Sequence, residues 1–420
     1  MSERIKVALL GAGGRGAGFA HTIKNLSHLA EIVAVAEPRE SYRRDIQALF
    51  DLPDERTLAD WREFAALDKC CDAVIIATMD QEHVGPAIAC QQMGYHMMLE
   101  KPMATSLEDC RQIAAAQREH DVITTVCHSM RYNKGFSLVK EIVDSGRLGK
   151  IITVDQLEQV AFWHQAHSFV RGNWGNEERS TFMLMAKSCH DIDYISYLIG
   201  RDCRRVSSFG SLSHFNAANA PEGSTERCSD GCAVEASCPY SALKVYVDAP
   251  NLDGWPANVC AHEHTREAHM EAIQTGPYGR CVYRCDNDVV DHQVVAMDFD
   301  GDITATFTMT AFTHGGGRKL RIHGSEAELS FDEGDIVVKH YASNNVERIS
   351  IGAEGGGHGG GDNRVISAWL DAIRTGDGSR VVTDVHESLR THGIVFAAER
   401  ARREGRMVDL AEIYDGDLAF

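Results

Sequence analysis

The run Gly11-Ala12-Gly13-Gly14-Arg15-Gly16 follows directly on an apolar stretch, Ile5 to Leu10. Glycines at this spacing let the backbone turn sharply after a strand and approach a pyrophosphate. They also open a helix whose N-terminus faces the phosphate charge. Glu37 closes the next apolar run, about 20 residues further on, where a carboxylate can accept both ribose hydroxyls of an adenosine and repel a 2′-phosphate. Arg39, Arg43 and Arg44 stand close by and soften that discrimination. The expectation is NAD, held by Gly11, Gly13, Gly14, Arg15 and Gly16 with Glu37 on the ribose.

A second group is rich in sulfur. Cys228, Cys232 and Cys238 are separated by three and five residues, and Cys281 and Cys285 follow later. Four thiolates, taken as Cys228, Cys232, Cys238 and Cys281, could close a tetrahedral structural zinc site. An iron–sulfur cluster is the lesser expectation without a compact ferredoxin run, and buried thiols are the bland one. A third group is Arg171-Gly172-Asn173-Trp174 with His164 and His167 before it. These aromatic and guanidinium groups could floor a sugar or hold an anionic substituent, and Tyr132 could line the same cleft.

The elements that must position these residues fall into two textures. Apolar runs at 5–10, 32–36, 73–77, 96–99 and 122–126 alternate with helix-length segments, the pattern of a parallel sheet covered on both faces. After Gly149 the pattern alternates by twos. Strands are expected over 150–159, over 291–312 with a hairpin at Asp300-Gly301, and over 318–331 and 335–341. Two helices close the chain. One carries Val365, Ile366, Trp369, Leu370 and Ile373 on a single face, and the next starts on an Asp384/Glu387 capping box and ends before Gly405. The reading is α/β: a Rossmann domain over 1–130, then an α+β domain over 131–420 with an open, mainly antiparallel sheet. The poorly periodic stretch 216–288 is a cysteine-rich insertion that something must hold. The glycine-rich run 355–361 reads as a mobile loop near a site.

Composition narrows the function. The 420 residues include 42 Lys+Arg and 61 Asp+Glu, a formal charge of −19, which disfavours nucleic acid and anionic membranes as partners. No apolar run nears the ~20 residues that cross a bilayer, and the first ten residues lack the pattern of a secretory signal. A cytoplasmic setting is expected, in which 13 cysteines point to metal ligands or buried thiols rather than disulfides.

Four segments in order carry a resemblance: the glycine motif, Thr78-Met79-Asp80-Gln81-Glu82-His83, Glu100-Lys101-Pro102, and His190-Asp191-Ile192-Asp193. Together the chain resembles the Gfo/Idh/MocA oxidoreductases, the family of glucose–fructose oxidoreductase and inositol dehydrogenase. The resemblance implies a nicotinamide at the domain interface, bordered by Thr78, His83, Glu100 and Lys101. It also implies that Lys101 reaches the substrate and that His190 acts as general base. Physically, an ammonium can steady a forming alkoxide, and an imidazole can take a hydroxyl proton near neutrality. Inositol dehydrogenase-like members carry an aspartate where this chain has Ala186, and Lys187 is expected to project into the site instead. The implied activity is NAD-dependent removal of hydride from a ring-hydroxyl carbon of a sugar or sugar derivative. The alternative is an NAD-dependent glycosidase that oxidises, eliminates, hydrates and re-reduces, as sulfoquinovosidases and N-acetylgalactosaminidases of the family do. The expected partner is a small carbohydrate, and homodimers or homotetramers are expected.

Overall fold

The computed structural model describes residues 4–352, 355, 357 and 359–414. Its first sheet is built from β1 (Ile5–Leu10), β2 (Ala30–Ala36), β3 (Thr57–Leu58), β4 (Ala73–Ile76), β5 (His96–Leu99) and β6 (Thr124–Val126), in the order β3-β2-β1-β4-β5-β6. All the pairings are parallel. Val7 to Leu10 and the whole of β4 are buried, because helices cover both faces. The strand order reverses between β1 and β4, so their C-terminal ends diverge and leave a crevice for a ligand. The glycine motif leaves β1 there, and Thr78 follows β4.

The second sheet has nine strands: β7 (Ile151–Gln159), β8 (Cys203–Ser211), β9 (His292–Phe299), β10 (Ile303–Thr310), β11 (Gly317–Gly324), β12 (Ala327–Phe331), β13 (Asp335–His340), β14 (Val346–Ser350) and β15 (Val408–Asp409). They run in the order β14-β13-β12-β11-β7-β10-β9-β8-β15. One pair, β7 with β10, is parallel; the others are antiparallel. The Asp300-Gly301 hairpin forms as expected, with Gly301 at φ +84 and Asp302 at φ +58. The run expected over 318–331 is two strands, turned at Ser325-Glu326. The sequence reading passes over β8, where arginines and serines dilute the alternation.

Along β7, alternate residues Val154, Gln156 and Glu158 point inward. Two of these inward groups are polar, and they lie toward the helix Cys189–Ile199. A core that accepts a carboxylate there must pair it.

The C-terminal helices reach back to the first sheet, although the apolar residues from Ile394 to Ala401 of the last long helix stay in the core of the second. Val365, Ile366, Trp369 and Leu370 of the helix Gly361–Thr375 pack in one cluster with Val7, Leu9 and Ile75. Val385 and Leu389 of the helix Val385–Glu404 join the cluster on the sheet's other face. The chain therefore returns to complete the nucleotide-binding half. Asp384 caps the last long helix by accepting from the amides of His386 and Glu387. Glu387 does not reach back to complete the box; its carboxylate is taken by Arg131 and Arg390.

Between β8 and β9 the chain forms one α-helix, Arg266–Thr275, among short turns. In the glycine-rich run, Gly356 and His358 lie outside the described residues. Gly357 stands beside Arg15 and Asp362.

Candidate active site

The nucleotide cradle is made of backbone. Gly11 has φ +91, and a Cβ on it would lie 2.4 Å from the Ala77 carbonyl oxygen. A Cβ on Gly16 would lie 1.9 Å from the Gly11 oxygen, whereas one on Gly14 would meet nothing within 4 Å. The turn is thus closed beneath and open above Gly14 at the N-terminus of the helix Gly14–Asn25. That is the shape and polarity a pyrophosphate requires, so the residues fit a dinucleotide.

The charged residues around the cradle are tied to one another. Arg15 donates from Nε to Glu100 at 2.6 Å and from Nη1 and Nη2 to Asp362 at 2.6 and 3.0 Å. Glu100 also accepts from the Lys101 amide at 2.7 Å. Arg15 and Glu100 therefore brace the cradle against the loop after β5 and the helix Gly361–Thr375. Glu37 is buried and already partnered. One oxygen accepts from Ala12 N at 2.8 Å, and Arg39 takes both oxygens through its side chain. Burial pushes the Glu37 carboxyl up, but the Arg39 and Ala12 bonds outweigh it and hold it below the usual range. An Arg39 Nη stands 3.2 Å from where a Cβ on Gly13 would lie. His83 bridges the carbonyls of Pro102 (2.8 Å) and Thr78 (3.3 Å), fixing the two loops against each other.

Lys101 and His190 come from different halves of the molecule. The Lys101–Pro102 peptide is cis, and the Lys101 ammonium donates to the Ala186 carbonyl at 2.8 Å. Ala186 ends a helical turn, Met183–Ala186, and His190 follows in the first turn of the helix Cys189–Ile199. Lys187, between them, pairs with Glu158 at 3.0 Å. Glu158 also meets Arg318 at 3.1 Å, and Arg318 binds Asp191 at 2.7 Å, as does Gln156 at 2.6 Å. Burial pushes the Asp191 carboxyl up, against the pull of Arg318. A buried chain of alternating charge thus supports the turn that presents His190.

Two further histidines surround it. The His128 ring stands 5.6 Å from that of His190, edge to face, and 5.5 Å from that of His392. His392 accepts from Met103 N at Nε2 and faces the Ser388 carbonyl with Nδ1, which fixes the neutral Nδ1–H form. Burial pushes His392 down to about 3, and it lowers His128 as well. Asp193 does not face the cleft. It is buried against Arg131 through two 2.7 Å bonds, and despite burial these help hold it at about 2.

Other expected site residues divide between the mouth of the cleft and structural posts. His164 is lowered to about 2 by burial and by the charges of Lys187, His167 and Lys101. It packs against Trp255 with ring centroids 4.7 Å apart, and Trp163 meets Trp255 at 5.2 Å. His167 is a wall residue, hydrogen-bonded to the Tyr246 hydroxyl at 2.8 Å and stacked on Tyr278. Trp174 ties its segment to the loop after β4, donating to Asp80 at 2.9 Å. Tyr132 is not in the cleft: its ring packs in the core with Trp369, and its hydroxyl accepts from Val382 N. Arg171 is also turned away, donating to the carbonyls of Arg280 and Tyr240 at 2.7 Å each.

The expected zinc set is not gathered as such. No group of three or more His, Cys, Asp or Glu among the described residues is placed to hold a metal ion. Sequence reading missed Glu158, Arg318, Asp362, His128 and Trp255. The inward polar positions of β7 were the one available signal for Glu158.

Residues 5–128 match the family described as "Oxidoreductase family, NAD-binding Rossmann fold", and residues 140–410 match its "C-terminal alpha/beta domain". The chain is 23% identical over 313 residues to the oxidoreductase YteT of Bacillus subtilis (strain 168), covering 69% of this chain and 70% of that protein. It is 28% identical over 200 residues to the scyllo-inositol 2-dehydrogenase (NADP(+)) IolW of the same strain, covering 47% of this chain and 52% of IolW. Among solved structures, levoglucosan dehydrogenase in complex with NADH superimposes with a TM-score of 0.71 at 17% identity, covering 97% of this chain and 99% of that one. The WlbA dehydrogenase of Bordetella pertussis, in complex with NADH and UDP-GlcNAcA, gives 0.67 at 19% identity, covering 97% and 99%. With both domain matches in their expected order and together spanning most of its length, the chain belongs to the Gfo/Idh/MocA oxidoreductase family.

Proposed function

We propose that this protein is a dehydrogenase that uses NAD to oxidise a ring hydroxyl of a sugar or sugar derivative. The observation that carries the reading is the Lys101–Ala186 bond, which brings an ammonium from one half beside the turn that presents the His190 imidazole from the other. NAD bound at Gly11–Gly16 would supply the hydride acceptor. The chain's own residues supply the rest. An ammonium has three donors and Ala186 takes one, which leaves Lys101 able to donate to a substrate oxygen as its charge builds. His190 accepts the hydroxyl proton. His164, pushed far down, stays neutral and serves as a hydrogen-bonding wall rather than a second cation. Trp163 and Trp255 at the mouth offer apolar faces suited to a pyranose. The names of IolW and levoglucosan dehydrogenase agree with a carbohydrate alcohol.

Glu37 favours NAD over NADP, since a 2′-phosphate would approach its carboxylate; Arg39 is at present committed to that carboxylate. The test is cofactor reduction with a panel of cyclitols, hexoses, anhydrosugars and sugar acids, run with NAD and NADP in parallel. Reduction of NAD by at least one member, with weaker use of NADP, is expected. Preference for NADP would overturn the cofactor assignment, and reduction by none of the carbohydrates would overturn the substrate class.

A further inference from the structure

Among the described residues two guanidinium groups are buried, Arg131 and Arg171, and that of Arg318 is nearly so; two of these three are answered by carboxylates. Arg131 faces Asp193 and Glu387, and Arg318 faces Asp191 and Glu158. Arg171 is 1% exposed, and among the described residues no carboxylate pairs with it. Its Nε and one Nη donate to carbonyls, the same Nη lies 3.7 Å from Cys228 Sγ, and its other Nη makes no hydrogen bond. A guanidinium does not lose its proton inside a protein, and an unanswered buried charge costs several kcal/mol. The site calls for an anion.

Arg171 lines a pocket together with Cys228, Cys232, Cys238 and Cys281; Glu235 lines it too, with its carboxylate accepting from the Ser241 hydroxyl. All four cysteines are free thiols. Cys285 is turned aside, its sulfur directed at the Cys281 carbonyl, and neither it nor Cys260 lines the pocket. Single zinc ions draw four sulfurs to ~2.3 Å of one point. Here the four thiols line one pocket, and among the described residues no three ligating groups are placed to hold a single ion. Iron–sulfur cubanes spread their irons apart, so that each takes one cysteine from a different wall. We infer that Cys228, Cys232, Cys238 and Cys281 hold a four-iron, four-sulfide cluster whose negative charge Arg171 answers.

Assembly joins two ferrous and two ferric irons with four inorganic sulfides, or takes a preformed cluster of that oxidation state from a carrier, so no net electron transfer is needed. Each thiol loses its proton to solvent, one iron–sulfur bond forms per cysteine, and the cysteines are neither oxidised nor reduced. The role is to close a loop. Cys238 and Cys281 bracket the segment that carries Trp255 to His164 and His262 to Asp45, where His262 bonds at 2.9 Å. One staple thus fixes the reach of the insertion to both the mouth of the cleft and the nucleotide-binding half.

The test is the whole chain, produced and purified without oxygen under iron supply, with iron, acid-labile sulfide and zinc counted per chain. About four irons and four sulfides are expected, with a visible absorption that bleaches on dithionite and a paramagnetic signal in the reduced sample. Stoichiometric zinc without sulfide would overturn the inference, and so would a metal-free chain that takes up no iron and sulfide on anaerobic reconstitution. Cys232→Ser is expected to lower the iron content at least severalfold, while Cys285→Ser and Cys260→Ser keep it. Should Cys232→Ser fold poorly, the iron and sulfide count of the unaltered chain still decides. Full iron in a well-folded Cys232→Ser protein would remove that residue from the set.

Discussion

The glycine cradle and the insertion between β8 and β9 are both loops, yet they are held by opposite means. The cradle is clamped by backbone at the ends of parallel strands. A Cβ at Gly16 would overlap the Gly11 carbonyl, so the sequence admits little else there. The insertion has one α-helix among turns and is held by side chains. Arg171 reaches into it with two carbonyl bonds, and aromatic rings from Tyr246, Trp255 and Tyr278 gather around His167. A loop fixed by backbone geometry is legible from residue spacing. A loop fixed by distant side chains is not.

The sharpest way to break the comparison is at the point where the halves meet. Lys101→Ala and His190→Ala are each expected to lower turnover ~10²–10⁴-fold while NAD affinity changes little, because neither builds the cradle. Rate constants and NAD titration on the same samples check this; a parallel loss of NAD binding would mean the two regions are not separable.

Next comes a selective loosening. Arg171→Ala leaves the Arg280 and Tyr240 carbonyls without their donor, at a cost of about 1–3 kcal/mol for each buried group left unpaired. Limited proteolysis should cut within 212–291 first, with the nucleotide-binding half still intact. Cleavage beginning in the first 130 residues would contradict that division.

Third, Glu37→Gln removes the charge that repels a 2′-phosphate and releases Arg39 to meet one. The NADP-to-NAD affinity ratio should rise by about tenfold, or ~1.4 kcal/mol, on titration of both cofactors. An unchanged ratio would mean that Glu37 serves only to position Arg39 and Ala12.

Acid should expose the buried histidines. His392, His167 and His164 have folded pKa values near 3, 3 and 2, below the ordinary ~6.5 of the unfolded chain. Below ~6.5 the unfolded state binds more protons, so stability present at neutral pH falls as pH drops toward 3. The slope is up to about 1.4 kcal/mol per pH unit for each such histidine. Denaturant midpoints from pH 7.5 to 4.5 should fall steadily, and His392→Gln should flatten the fall. The smallest effect is expected at the mouth, where Trp255→Ala should raise KM by about fivefold, near 1 kcal/mol, with kcat little changed.

What could be read in advance follows the same division. The parallel strands, the hairpin at Asp300-Gly301 and the faces of both C-terminal helices were visible as periodicity. The return of the helix Gly361–Thr375 to the first sheet was not, because an amphipathic face does not say which core it will cover. Nor were the ion pairs that set the site. Arg15 and Asp362 stand 347 residues apart, and Arg318 and Asp191 stand 127 apart. Arg171 misled for a related reason: a guanidinium near a cleft motif can face the ligand or brace the wall, and only the fold decides. Lys101 and His190 were legible through motif resemblance, and their geometry depends on the buried charges beneath them.

The most direct test of the central claim is a product balance on the unaltered enzyme in heavy water, with sugars and aryl glycosides supplied beside NAD. A dehydrogenase accumulates NADH in step with ketosugar. Release of aglycone with deuterium in the recovered sugar and no build-up of NADH would contradict it, showing that the hydride returns to the substrate.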